Sequence, residues 1–235
     1  MNAFITVLAA FIPSLVLVYH FYKKDKRKPE PLKRIFKLFI LGMVVVAIVL
    51  IPELILGAIF KVYNLHSVIN AFLRAFIVAA VCEEIAKLLI VKKFIYNDHH
   101  FDEIMDGILY TVVVSLGFAC VENIIYITGY GIEVITLRAL FAVPLHASAS
   151  GIMGYFIGKA KFSQSKIEEK NYMVKGLCFA ITIHGLYNFI FFTLSGPLAL
   201  LLNGIILFSA FRFLYNKINS AILEDEINEE NSNSE

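Results

Sequence analysis

The chain carries little charge and lacks several common sequence motifs. Only 17% of its 235 residues are charged, whereas soluble domains are about a quarter charged. No internal repeat, heptad pattern or nucleotide-binding glycine motif is present, which argues against repeat, coiled-coil and nucleotide-binding proteins. The three cysteines lie in apolar stretches without a CxxC pair, which argues against a disulfide framework or a zinc ribbon; they are Cys82, Cys120 and Cys178.

What the chain has in abundance is apolar sequence. Hydrophobic residues make up 59% of it, and its mean hydropathy is +0.74. A helix needs about 20 apolar residues to cross roughly 30 Å of hydrocarbon. We therefore predict an all-α fold, a polytopic transmembrane helical bundle of about seven spans. The predicted windows are residues 3–22, 35–60, 69–91, 107–127, 135–158, 175–193 and 197–214.

The distribution of basic residues predicts how the bundle is oriented. Lysine and arginine concentrate in the connections after the first, third and fifth windows and beyond the last one. By the positive-inside rule, the N-terminus lies outside and the C-terminus in the cytoplasm, which places a multi-pass protein in the cell membrane. Membrane anchoring and topology also explain the basic run KKDKRKPEPLKR, so no nucleic-acid partner is expected. The predicted domains are a transmembrane domain, 1–216, and an acidic, disordered cytoplasmic tail, 217–235.

The third window contains three charged side chains in otherwise apolar sequence. Glu83 and Glu84 are adjacent, and Lys87 follows at helical spacing, so all three share one face of a helix. A charge at the centre of a bilayer costs roughly 2.5–3.5 kcal/mol even on the lenient insertion scale. An ionisable cluster at this depth therefore indicates a functional site.

Later windows add further polar residues at similar depth. Glu122 and Asn123 are adjacent in the fourth window, His146 lies in the fifth, and His184 and Asn188 share a helical face in the sixth. Each residue alone is readily explained as a hydrogen-bonding contact between helices. Packing does not require acids and histidines on four consecutive spans, so the set together favours a catalytic site.

Carboxylate, imidazole and amide groups together permit water-mediated hydrolysis. Glu83 or Glu84 is the candidate general base, and His184 with Asn188 suits a developing oxyanion. The same groups could bind a metal, but HExxH is absent. We therefore expect no cofactor and activity that survives chelation, with a metal left open. A proton-coupled transporter is a further alternative, against which the chain shows no evident inverted repeat.

Four ordered motifs resemble those of a known family. CEEIAK is similar to an EExxK motif, GFACVEN to an FAxxEN motif, and the two later histidine segments to the remaining signatures of the PrsW intramembrane proteases. That family is related to the CAAX-processing and bacteriocin-immunity membrane proteases. The resemblance extends from about residue 70 to residue 190.

The resemblance implies a set of catalytic positions. They are Glu83, Glu84, Lys87, Glu122, His146, His184 and Asn188. It places water activation at the paired acids and oxyanion stabilisation at the HxxxN segment that contains His184. Glu122 stands where the CAAX-type relatives have a histidine, and the resemblance assigns no role to His146.

The function that follows is a membrane-embedded endopeptidase with a glutamate-activated water. By resemblance, its substrate is a membrane-anchored protein, and the expected class is an anti-sigma factor cut at site 1 in a stress response. The alternative is a non-enzymatic membrane protein of the same fold, either a transporter or an immunity-type binding protein. The expected partners are this substrate and the lipid bilayer, and the oligomeric state is left open.

Overall fold

The computed structural model describes residues 3–25, 27–63 and 65–233, and within them it is all-helical. Seven long helices follow one another and are joined by short connections. We number them in chain order as α1 Ala3–Tyr22, α2 Leu32–Val62, α3 residues 67–94, α4 Ile104–Tyr130, α5 Val134–Lys161, α6 Lys166–Thr193 and α7 Gly196–Asn233. The all-α transmembrane bundle predicted from the sequence is confirmed.

Six of these helices are long and apolar enough to cross a membrane. The helix outside that group is α3, which carries Arg74 as well as Glu83, Glu84 and Lys87. Six spans are therefore supported by length and composition, and the seventh, like the outside position of the N-terminus, stays a prediction.

The centre of the bundle is built from α4 and α5, which are almost wholly buried, while α1, α2, α6 and α7 expose much of their surface. Glycines allow the two central backbones to meet. A Cβ atom on Gly107 would lie 2.5 Å from the Gly154 carbonyl oxygen, and one on Gly158 would lie 2.6 Å from that of Ile104. Small residues at such positions let membrane helices approach closely.

Replacing Gly154 by Ala is expected to destabilise the bundle. The added Cβ would lie 2.3 Å from the Gly107 carbonyl oxygen, so the two backbones must separate, at a cost of about 1–3 kcal/mol. Thermal unfolding in detergent measures the loss. Gly57→Ala on α2 is the matched control, because a Cβ there meets nothing within 4 Å. Equal stability of the two variants would contradict the close backbone contact described between α4 and α5.

Two stretches of π-helix interrupt the regular turns. Leu73–Val81 lies within α3 directly before Cys82–Phe94, and Arg138–Ala142 lies within α5 directly before Val143–Lys161. A π turn is wider than an α turn and is frequent at functional sites. Each of these two segments leads into an α-helical segment that carries candidate site residues.

The C-terminal part of the chain differs from the prediction of a disordered tail. Helix α7 continues through residues 217–233 without a break at residue 216. Ile218 and Ala221 are buried, and the Asp225 carboxylate accepts hydrogen bonds from the backbone N–H groups of Ile104 (2.8 Å) and Met105 (3.1 Å). The acidic composition suggested disorder, but apolar residues at helical spacing and this carboxylate hold the segment against α4.

Candidate active site

The three charged residues of α3 form one buried cluster, as the spacing predicted. Lys87 donates hydrogen bonds from Nζ to Glu84 Oε1 at 2.7 Å and to Glu83 Oε2 at 3.4 Å. Glu84 and Lys87 are fully buried, and Glu83 is 4% exposed. The two carboxylates and the ammonium partly neutralise each other, which makes their burial tolerable.

Helix α6 brings His184 to this cluster. Its Nδ1–H donates to Glu84 Oε1 at 2.9 Å, and its Nε2 lies 3.9 Å from Glu83 Oε2. In the neutral ring, a proton on Nδ1 leaves the lone pair of Nε2 directed toward Glu83. Glu84 thus fixes both the orientation and the tautomer of His184.

Helix α5 contributes His146, whose two ring nitrogens are both engaged. Lys87 Nζ donates to Nδ1 at 3.0 Å, so the ring proton lies on Nε2, which is 2.7 Å from Glu122 Oε2. The His146 and His184 rings meet edge to face with centroids 5.1 Å apart. His146 therefore links the α3 cluster to Glu122 on α4.

Glu122 is held in place by Arg138. The guanidinium Nη2 lies 3.3 Å from Glu122 Oε2, and Nε donates to Asn123 Oδ1 at 2.6 Å. The Arg138 guanidinium also lies 4.2 Å from the centroid of the Tyr126 ring, a favourable cation–π distance. A residue that could have been interpreted as snorkelling to the interface is instead buried and paired.

Two serines complete the polar interior. Ser150 donates to Glu84 Oε2 at 3.0 Å and lies 2.9 Å from Ser115 Oγ, and Ser115 donates to the His146 carbonyl oxygen at 3.0 Å. Glu84 therefore accepts bonds from Lys87, His184 and Ser150. This carboxylate joins side chains from α3, α5 and α6.

A cavity of about 530 Å³ opens onto one side of the cluster. Five of the predicted site residues line it, namely Glu83, Glu122, His146, His184 and Asn188. Its walls are largely apolar, and it extends to Tyr130 and Val134 at the connection between α4 and α5. Glu84 and Lys87 lie behind this lining, so Glu83 is the member of the acid pair that faces the cavity.

The donor atoms of the site suit a divalent metal ion. Glu83, Glu84, His146 and His184 each offer one ligand atom, and the four atoms lie within 4.8 Å of one another. Carboxylate oxygen and imidazole nitrogen are ordinary zinc ligands, with bond lengths of about 2.0–2.2 Å. The 3.9 Å between Glu83 Oε2 and His184 Nε2 is close to what two ligands of one such ion require, and both residues line the cavity.

Comparison with known proteins agrees with this site. A family model described as PrsW family intramembrane metalloprotease matches residues 30–215. The chain belongs to the PrsW family. It is 36% identical over 192 residues to Protease PrsW of Bacillus subtilis, covering 82% of this chain and 85% of the relative. With Protease PrsW of Oceanobacillus iheyensis it shares 39% identity over 188 residues, covering 79% and 83% respectively. No solved structure matches.

Membership of the PrsW family confirms the predicted membrane-embedded peptidase and its place in the cell membrane. It also corrects one prediction. We expected no cofactor, but the family is one of metalloproteases, so that expectation is wrong, and the expectation that activity survives chelation loses its support. The absence of HExxH was misleading because the four donors come from three different helices, which no local motif can reveal.

Several residues of the PrsW site were not singled out by sequence reasoning. They are Ser115, Ser150 and Arg138. The available signal for Arg138 was its position in an apolar span, where a cation needs an acidic partner. No comparable signal exists for the serines, whose partners lie on other helices.

Proposed function

We propose that this PrsW protein is a metal-dependent endopeptidase that cuts a membrane-anchored protein of the anti-sigma factor class. The observation that carries the proposal is the short distance, 3.9 Å, between Glu83 Oε2 and His184 Nε2, two residues that line the same cavity. A bound divalent metal ion supplies Lewis-acid polarisation of water and of the scissile carbonyl.

His184 is the residue that would hold the ion most directly. His184 presents a fixed lone pair at Nε2 because Nδ1 is bonded to Glu84. Carboxylate–histidine pairs of this kind orient a metal-binding imidazole and raise its basicity. This assigns His184 to metal binding and leaves Asn188, one turn further on α6, as the amide that donates to a developing oxyanion.

Glu83 also has the position required of a general base. It lines the cavity, and Lys87 Nζ lies 3.4 Å from its Oε2. We propose that Glu83 takes the proton of the attacking water and returns it to the leaving amine. Glu84 acts through other residues, since its contacts position Lys87 and His184.

His146, Glu122 and Arg138 form the opposite wall. Both nitrogens of His146 are engaged, so it serves as a ligand only if its contact with Lys87 is given up. In the described arrangement it positions Lys87 and Glu122. Glu122 lines the cavity beside His146, and its carboxylate offers an acceptor for a substrate backbone N–H.

The shape of the cavity supports a membrane-anchored substrate. The cavity joins buried polar groups to apolar walls and reaches the α4–α5 connection, which the charge distribution places outside. A substrate segment next to its membrane anchor could enter from that end in an extended form. Anti-sigma factors with one membrane span have such a segment, and the family resemblance favours them.

Cleavage by reconstituted protein tests this function. The full chain, placed in liposomes with zinc and candidate single-span anti-sigma factors, is expected to make a single cut near the outer membrane surface. Mass spectrometry of the products locates the cut. An unrelated single-span protein serves as the substrate control. If no candidate is cut by well-folded protein, the proposed substrate class is wrong.

A further inference from the structure

A second group of buried acids lies at the end of the bundle that the sequence predicts to be cytoplasmic. It joins the α1–α2 connection, the start of α4 and the last part of α7. Its buried members are Asp25, Glu30, Glu103, Asp106 and Asp225, each no more than 7% exposed. Buried carboxylates are rarely present without a partner.

Most of the carboxylate oxygens in this group already have a hydrogen-bond partner. Asp106 Oδ2 accepts the backbone N–H groups of Asp102 at 2.9 Å and Glu103 at 2.7 Å, and the Glu103 carboxylate accepts the Asp106 backbone N–H in return. The Glu30 carboxylate accepts the Tyr110 hydroxyl. These contacts cap α4 and explain why acids are placed here.

Two oxygens are left over. Asp25 Oδ1 and Asp106 Oδ1 are buried and have no hydrogen-bond partner among the described residues. A buried acceptor without a partner costs about 1–3 kcal/mol, and more when it is charged. Capping does not account for these two atoms, since in each carboxylate the other oxygen makes the hydrogen bonds.

The basic residues nearby pair mainly with acids at the edge of the group. Lys28 pairs with the half-exposed Asp102 at 3.2 Å, and Arg34 pairs with Asp98 at 2.6 Å. Arg27 approaches Glu103 only to 3.7 Å and also contacts two acids of α7. The interior of the group therefore keeps an excess of negative charge.

We infer that Asp25, Glu103 and Asp106 bind one hard divalent cation, of the Mg²⁺ or Ca²⁺ class. Each of the three offers one ligand atom, and these atoms lie within 4.8 Å of one another. An all-oxygen donor set selects hard cations, in contrast to the mixed oxygen and nitrogen donors of the catalytic site. The cation would join the α1–α2 connection to the first turn of α4.

Thermal unfolding of the full chain in detergent tests the inference. After chelation, added Mg²⁺ or Ca²⁺ is expected to raise the Tm of the wild-type chain by about 5 °C at saturation. Asp25→Asn should abolish this rise and, because it removes a buried charge, should leave the chelated protein at least as stable as wild type. Glu103→Gln should also abolish the rise.

Asp98→Asn is the matched control, as it lies at the same end of the bundle and is paired with Arg34; it should keep the full response. A wild-type Tm that responds to neither cation would overturn the inference, as would an equal response in Asp25→Asn. A shift caused by Zn²⁺ alone, lost in His184→Ala and kept in Asp25→Asn, would assign the effect to the catalytic site and also contradict the inference.

Discussion

Glu83→Gln is expected to lower the turnover of a cleaved substrate by about 10²–10⁴-fold, the usual contribution of a general base. The amide keeps the shape of the side chain but cannot accept the proton of the attacking water. Glu83 faces the cavity and makes one long contact with Lys87 at 3.4 Å, so we expect the variant to fold. Initial rates at saturating substrate, measured with the same amount of folded protein, give the loss.

Two comparisons separate catalysis from folding in this experiment. Glu133→Gln makes the same change at an exposed position on the connection before α5, and it should keep wild-type turnover. Glu84→Gln removes the charge that pairs with Lys87 and His184, and breaking a buried pair costs about 3–5 kcal/mol. It should therefore reduce the yield and Tm as well as the rate. Wild-type turnover in folded Glu83→Gln would end the role proposed for this residue.

Removal of the metal is expected to reduce cleavage to background, and addition of zinc to restore it. His184→Ala deletes the Nε2 lone pair that faces Glu83, so this variant should neither retain stoichiometric metal nor recover with zinc. Elemental analysis and cleavage are measured on the same preparations. The expected loss is at least as large as that for Glu83→Gln, because the ion and the base act on one step.

The control for this measurement is His99→Ala. His99 is an exposed histidine beside Asp98 and His100, a second group that could hold a metal. If the catalytic metal is bound at the cavity, His99→Ala should retain metal and activity. Loss of the metal in His99→Ala but not in His184→Ala would place the ion outside the cavity and contradict the proposed donor set.

The composition of the site on α3 could be predicted from the sequence because it depends on local spacing. Within Cys82–Phe94 the helix is regular, so residues three and four positions apart meet, and Lys87 contacts both acids as expected. The ordered motifs on later spans then indicated which helices supply the remaining residues. Depth in the membrane is fixed by position along a span, and for this reason the histidines and Glu122 could be placed together.

The pairing of residues across helices could not be predicted in the same way. It depends on how each helix is rotated about its axis, and the π-helical stretches Leu73–Val81 and Arg138–Ala142 change that rotation directly before the site. Neither stretch has a distinct sequence pattern. The contacts of Arg138 with Glu122 and of Ser150 with Glu84 follow from this rotation, as does the proximity of the two acids of α3 to His146 and His184.

The contact of Asp225 with α4 has a consequence for how the protein is made. The two backbone N–H groups at the start of α4 receive their carboxylate partner from a residue that is synthesised about 120 positions later. During translation α4 enters the membrane before Asp225 has been made, with only the local capping contacts of Glu103 and Asp106 at that end. This partner reaches α4 only after the intervening helices have been made, so the start of the central helix gains these contacts after α5 and α6 have been synthesised.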